Sequence, residues 1–271
     1  MPGIFGIIPE TPLSDDALAA ELARMAQAMR LSPRHALFSR VARGLGLGRT
    51  GPSFLNAEPQ PVTSRDGSVI GVFEGELFEP KAVRAKLAKT LPDDAPDSLL
   101  VIESVAARGP AAVADLAGAY IGFAYDAARR TGYLFTDRLG LRGAYYALLA
   151  DGTLLFASDL KGVVASSCFR GRVDEQAVAE SLIAGFPFFE RTLFDSVKYL
   201  PLGSVLTVSG GQVKVDTYWD FPAAPASAGP LAFDEAADEG ARLLRRAVER
   251  QLRPAGRIGA LLSGGMDSRV D

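Results

Sequence analysis

One segment has the residue types and spacing for phosphate chemistry. Leu261-Leu262-Ser263-Gly264-Gly265-Met266-Asp267-Ser268 closes an apolar run with a Ser-Gly-Gly turn. Glycines let backbone N–H groups approach an anion, serine hydroxyls add donors, and a helix N-terminus beyond them adds partial positive charge. This is not the Walker pattern, because no Gly-Lys-Ser/Thr follows. On these residues alone, a phosphate cradle and an ordinary strand–turn–helix junction both remain open. Few other residues offer chemistry. Cys168 and His35 are the only residues of their types, which excludes an internal disulfide, a Cys-based metal cluster and any mechanism needing two histidines. Cys168 reads as a small buried residue and His35 as surface or structural. The pairs Asp15-Asp16 and Asp93-Asp94 suit capping or solvated roles, Arg245-Arg246 a wet helix face, and Asp137-Arg138 an ion pair or turn.

The elements that must position these residues follow from pattern. Residues 3–8 are apolar and β-prone, a buried strand closed by Pro9 and Pro12. Ser14 reads as an N-cap, with Asp15 and Asp16 in the first turn and Leu18, Leu22, Met25 and Met29 as a core-facing stripe. Residues 40–65, rich in Gly and Pro, read as loops with short strands. A strand is expected over 69–73 and helices over 79–89 and 97–108. Strands follow over 119–125, 132–136, 144–148 and 153–157, with hairpin-like turns at 126–130 and 150–152. A helix over 173–184 has Asp174 near its start and Gly185 as its stop signal, and a hairpin over 205–215 turns at Gly210-Gly211. Residues 221–230 have linker composition. A long amphipathic helix over 233–252 and a buried parallel strand over 257–262 lead into the Ser-Gly-Gly turn.

The chain has 271 residues, 48% hydrophobic and 23% charged, with a net charge of −3. That balance gives no footprint for nucleic acid or an anionic membrane. No apolar run is long enough to span a bilayer, and the first residues show no signal-peptide pattern, so a cytoplasmic protein is expected.

Several segments resemble the asparagine synthetase family, in its order and over the whole chain. Gly3-Ile4-Phe5-Gly6 is similar to its first strand, and Leu45-Gly46-Leu47-Gly48-Arg49 to its Leu-Gly/Ala-His-x-Arg segment. Gly75-Glu76-Leu77-Phe78 resembles its Asn-Gly-Glu-Ile-Tyr-Asn turn. The run from Asp137 to Arg142, with Tyr145-Tyr146, resembles Asp-Arg-Phe-Gly-Ile-Lys-Pro-Leu-Tyr-Tyr. Phe156-Ala157-Ser158-Asp159-Leu160-Lys161 and Tyr218-Trp219 also match, and the Ser-Gly-Gly-x-Asp-Ser loop resembles the pyrophosphate loop of N-type ATP pyrophosphatases.

The resemblance implies an α+β, N-terminal-nucleophile-type αββα sandwich over 1–220, a class II glutamine amidotransferase-like domain. A linker over 221–232 and the start of an incomplete α/β ATP-pyrophosphatase domain over 233–271 complete it. It further implies that Ser263, Gly264, Gly265, Asp267 and Ser268 contact ATP phosphates, with the backbone near Leu262 lining the nucleotide. Asp267 would help hold Mg²⁺. Arg49 would grip a glutamine carboxylate and Asp97 its amine, beside Glu74, Gly75 and Glu76.

Departures from the family matter equally. The N-terminal Cys nucleophile is replaced by Pro2, as in β-lactam synthetases and lasso-peptide macrolactam synthetases, which lack that Cys. The oxyanion-hole Asn is Glu74, and a Glu expected two residues beyond Asp97 is Leu99. A lost oxyanion donor costs about 10²–10³ in rate, so glutamine hydrolysis is not expected. The function implied is an ATP- and Mg²⁺-dependent amide ligase with a small-molecule or peptide carboxylate as substrate and a homodimer as an option. The alternative is a non-catalytic pseudo-amidotransferase module, and this chain by itself is not expected to ligate.

Overall fold

The computed structural model describes residues 3–87, 91–221, 232–252, 259 and 261–265. In chain order, β1 is Gly3–Ile8, α1 Asp15–Met29, β2 Ala36–Ala42, β3 Leu45–Gly51, β4 Val62–Thr63 and β5 Val69–Leu77. Next come α2 Pro80–Ala85, α3 Asp97–Arg108 and a 3-10 turn at Gly109–Asp115. Strands β6 Gly118–Asp126, β7 Thr131–Thr136, β8 Tyr145–Leu148 and β9 Leu154–Ala157 precede α4 Leu160–Val164 and α5 Glu175–Ala184. The described elements end with β10 Lys198–Tyr199, β11 Ser204–Ser209, β12 Gln212–Thr217 and α6 Phe233–Gln251.

Two antiparallel sheets organise the chain up to Asp220. One has the order β10-β8-β9-β1-β3-β2 and the other β12-β11-β7-β6-β5-β4. Because side chains alternate along a strand, each sheet has two different faces to bury. On β1, Ile4 packs between the sheets, while Phe5 and Ile7 pack outward with Leu18, Leu22, Met25 and Met29 of α1. On β5, Ile70 and Val72 face the opposite sheet, while Val69, Phe73 and Leu77 pack with Leu100, Val101 and Val105 of α3. The layers are therefore helix, sheet, sheet, helix, the αββα sandwich.

Local signals explain most element ends. The Ser14 hydroxyl accepts from the Ala17 N–H at 3.2 Å and opens α1. Asp174 does the same for Ala177 at 3.1 Å, so α5 begins at Glu175 rather than at Val173, and Gly185 ends it in the left-handed region. Residues 40–65 hold the loops and short strands expected there, the end of β2 with all of β3 and β4, and Leu45–Gly51 is buried throughout. Gly48 is a packing requirement, because a Cβ there would run into the Phe5 ring on the paired strand. Strand β5 runs four residues past Phe73, to Leu77, because β6 pairs with it along its full length. Helix α2 covers Pro80–Ala85, shorter than 79–89, and residues 88–90 lie outside the described ones.

The second unit, Phe221–Asp271, contains α6, which buries none of its residues. Leu261 and Leu262, expected in a buried strand, are exposed and outside any strand; residues 257, 258 and 260 are not among the described ones. A lone strand has no neighbour to satisfy its backbone or cover its faces. Among the described residues, no helix is long and apolar enough to cross a membrane.

Candidate functional site

The alternation that builds the core also places the site. On β5 the inter-sheet positions run Ile70, Val72, Glu74, and on β3 they run Leu45, Leu47, Arg49. A carboxylate and a guanidinium thus enter the layer that is otherwise apolar. Glu74 is 1% exposed and Arg49 is 0% exposed. Arg49 sits opposite Ile4 in the β1–β3 ladder, and the Glu74 Oε2 is 3.7 Å from where a Cβ on Gly3 would lie. The cluster therefore lies at the start of β1. Position 2, expected to mark the lost nucleophile, is outside the described residues, as are Asp267 and Ser268.

The charges are only partly satisfied. Arg49 Nη2 donates to the Leu55 carbonyl and, at 3.5 Å, to that of Pro52, while its Nε and Nη1 have no hydrogen-bond partner. Both Glu74 oxygens also lack one, and among the described residues its ion pair is with Arg142, Nη1 lying 3.5 Å from Oε1. Burial pushes the Glu74 carboxyl above its ordinary value, against the pull of Arg142 and Arg49. Burial likewise lowers Arg49, opposed by Glu74 and Glu58.

Arg142 is a site residue that the sequence did not single out. Its position depends on Asp137, which is 1% exposed. Asp137 Oδ1 accepts from the N–H groups of Leu139 at 2.9 Å and Leu141 at 3.2 Å, and Oδ2 from those of Tyr120 at 3.2 Å and Arg142 at 3.3 Å. Of the two roles expected for Asp137-Arg138, the turn is the one observed. Arg138 instead donates to the Ala114 carbonyl at 3.0 Å. A carboxylate that gathers four backbone donors across a loop was invisible in a linear reading.

The outer edge of β5 completes the surroundings. Its short neighbour β4 pairs only with Ile70 and Gly71. Beyond them, the Gln60 side chain bonds both the N–H of Phe73 at 2.8 Å and its carbonyl at 2.9 Å. Asn56 Oδ1 accepts from the Gly75 N–H, and Asp97 Oδ2 from the Leu77 N–H, each at 2.8 Å. Glu58 is held by the Ser98 hydroxyl at 2.5 Å and by Gln60 Nε2 at 3.3 Å. Gly75 has φ 133°, and a Cβ there would lie 2.6 Å from the Tyr120 Cα, so only glycine fits beside Glu74. Of the expected pocket, the structure gathers Arg49 and Glu74, with Gly75 and the half-buried Glu76 next in the strand. It places Asp97 on the strand edge with an oxygen committed to backbone, and Leu99 against the α3 core. Asn56, Gln60 and Glu58 were missed, because their roles depend on a strand edge that residues 40–65 did not reveal.

In the second unit, Leu262, Ser263, Gly264 and Gly265 are exposed, and Ser263 Oγ accepts from the Gly265 N–H at 3.2 Å. Hydroxyls and glycine N–H groups are the donor chemistry a polyphosphate takes. Among the described residues, no cluster of His, Cys, Asp and Glu could hold a metal ion.

Comparison with known proteins fits this layout. Residues 1–219 match the glutamine amidotransferase domain family and residues 239–270 the asparagine synthase family. Asparagine synthetase (glutamine-hydrolyzing) 2 of Bacillus subtilis (strain 168) is 24% identical over 219 residues, covering 77% of this chain and 29% of that protein. Amidase chyE of Penicillium rubens is 26% identical over 235 residues, covering 83% of this chain and 34% of that protein. The chain thus spans about a third of the length of these curated relatives. The solved glutamine phosphoribosylpyrophosphate amidotransferase of B. subtilis, complexed with ADP and GMP, aligns with a TM-score of 0.51 at 11% identity. It covers 80% of this chain and 49% of that one, a likeness of fold. The chain belongs to the glutamine amidotransferase domain family, in the asparagine synthetase family's order of that domain followed by asparagine synthase sequence.

Proposed function

We propose that this chain is the amidotransferase-like end of an ATP-dependent amide-forming ligase whose glutaminase site does not turn over. In such a ligase a substrate carboxylate attacks the α-phosphate of Mg²⁺-bound ATP, pyrophosphate leaves, and an amine or ammonia displaces AMP from the acyl adenylate. Ser263, Gly264, Gly265, Asp267 and Ser268 would bind the phosphates, the backbone at Leu262 would line the nucleotide, and Asp267 would help hold Mg²⁺. The carrying observation is the asparagine synthase match over 239–270 directly behind an amidotransferase match over 1–219. The idle glutaminase rests on Pro2 and on the buried, unbonded carboxylate of Glu74, which would repel a developing oxyanion. Nitrogen would then come from free ammonia or from an amine on the substrate, as in β-lactam or macrolactam closure. A cytoplasmic location and homodimer assembly belong to the same proposal.

The test is ATP–pyrophosphate exchange by the polypeptide carrying its complete synthase domain, with aspartate, β-amino acids and peptide carboxylates. A glutaminase assay runs beside it. Exchange that depends on one carboxylate class, with no glutamate released from glutamine, is expected. Absence of exchange with every class would leave a non-catalytic module, and glutamate release would refute the idle glutaminase.

A further inference from the structure

Strand β2 ends its sheet and pairs with β3 on one side only. A strand with one neighbour keeps the other row of backbone N–H and C=O groups open to main-chain pairing. At seven residues, Ala36–Ala42 is long enough to hold a further strand. Its side chains alternate between two surroundings. Leu37 and Ser39 line a groove of about 500 Å³ together with Ala19 and Ala23 of α1 and Leu31. Arg40 lies on the other face, where it donates to the Thr63 hydroxyl of β4 at 3.3 Å.

The charge around this edge is one-sided. Between Glu21 and Glu58 the chain has six arginines and no Asp or Glu, although its net charge is −3. Four of them, Arg30, Arg34, Arg40 and Arg43, are exposed in β2 or beside its ends. Among the described residues, none of the four pairs with a carboxylate, and Arg30, Arg40 and Arg43 donate to neutral oxygens. A second copy of β2 would bring the same arginines to both sides of the seam, so self-pairing is opposed. A nucleic acid would match the charge, but neither the open backbone row nor the apolar groove. An extended acidic peptide matches all three.

We propose that the outer edge of β2 binds an extended acidic peptide as an added strand. Its carboxylates lie against Arg40 and the arginines at the strand's ends, and its alternate, small apolar side chains lie over the groove beside α1. This inference is independent of the ligase reading.

Fluorescence anisotropy of a labelled Glu-Val-Glu-Val-Glu-Val-Glu peptide, titrated with the 271-residue chain, tests it. Binding should saturate, weaken with added salt and vanish when every Glu of the peptide is replaced by Lys. Methylating the backbone nitrogens of all Glu, or of all Val, blocks one edge of the peptide at a time. At least one of these two forms should bind about tenfold more weakly than the parent. Arg40→Glu should also weaken binding about tenfold, with unchanged circular dichroism, because this side chain is exposed. If that variant does not fold, Arg34→Glu carries the same expectation. No binding of the parent peptide would overturn the proposal and leave the arginines as guards of a bare edge. Unchanged binding by the arginine variant would overturn it by placing the peptide elsewhere. Two methylated forms that bind like the parent, or an oligothymidylate of equal charge that binds as tightly, would overturn it by showing a surface read through charge alone.

Discussion

Two buried glutamates show how the surroundings of one residue type set opposite pH behaviour. Glu21, 5% exposed, accepts from the Ser166 hydroxyl at 2.8 Å, the Ser167 N–H at 2.9 Å and the Ser167 hydroxyl, and pairs with Arg24 at 2.7 Å. Burial alone would raise its carboxyl, but these donors outweigh that and hold it below the ordinary 4.5. Its stabilisation is therefore present above pH 4.5 and is lost as pH falls through the depressed value. Glu74 has cations near it, Arg142 first among them, but no hydrogen-bond donor, and burial raises its carboxyl above 4.5. The folded state then takes up its proton more readily than the unfolded chain, and the stability this confers is full below pH 4.5. It is lost as pH rises through the raised value. Unfolding midpoints measured from pH 2 to 8 should show Glu74→Gln removing a fall with rising pH. Glu21→Gln should instead remove a loss towards acid and cost about 1–3 kcal/mol at neutral pH. Neither environment was legible in the sequence, because the serine donors to Glu21 lie more than a hundred residues away and Arg142 enters through a loop ordered by Asp137.

At the scale of elements, helices were the more readable part. Ser14, the two aspartates after it and the spacing of Leu18, Leu22, Met25 and Met29 are local signals, and α1 obeys them. The length of strand β3 hid behind glycines that composition assigns to loops. Its cause is non-local: the Phe5 ring lies across Gly48, and Leu22 and Ile7 each come within 3.0 Å of where a Cβ on Gly46 would sit. The site suffered for the same reason, since Arg49 lies in β3 and Asn56 and Gln60 follow it. Two substitutions separate local from non-local control. Ser14→Ala should cost about 1 kcal/mol by losing a cap. Gly48→Ala should cost about 1–3 kcal/mol by overpacking a site with no free volume. Denaturant melts of both variants measure this, and the reverse order would contradict the packing role of Gly48.

For the molecule as a whole, every buried apolar cluster among the described residues lies before Asp220. Helix α6 exposes Leu243, Leu244 and Val248. A chain ending at Asp220 should therefore unfold at the same midpoint as the 271-residue chain. Ending it at Asp216 should lower the midpoint. That removes Tyr218, whose hydroxyl donates to the Thr136 carbonyl at 2.7 Å, a bond worth about 1 kcal/mol before its ring packing is counted. Calorimetry of the three lengths distinguishes these outcomes. The way β5 ends its sheet matters beyond the fold as well. Past Gly71 it has no strand on its outer side, yet Gln60, Asn56 and Asp97 occupy its amides at every second residue from Phe73 to Leu77. Such an edge would otherwise template a foreign strand. Here three side chains, drawn from a loop and a helix start, deny it those donors, so the protein's resistance to aggregation at this edge is written into the residues that frame its site.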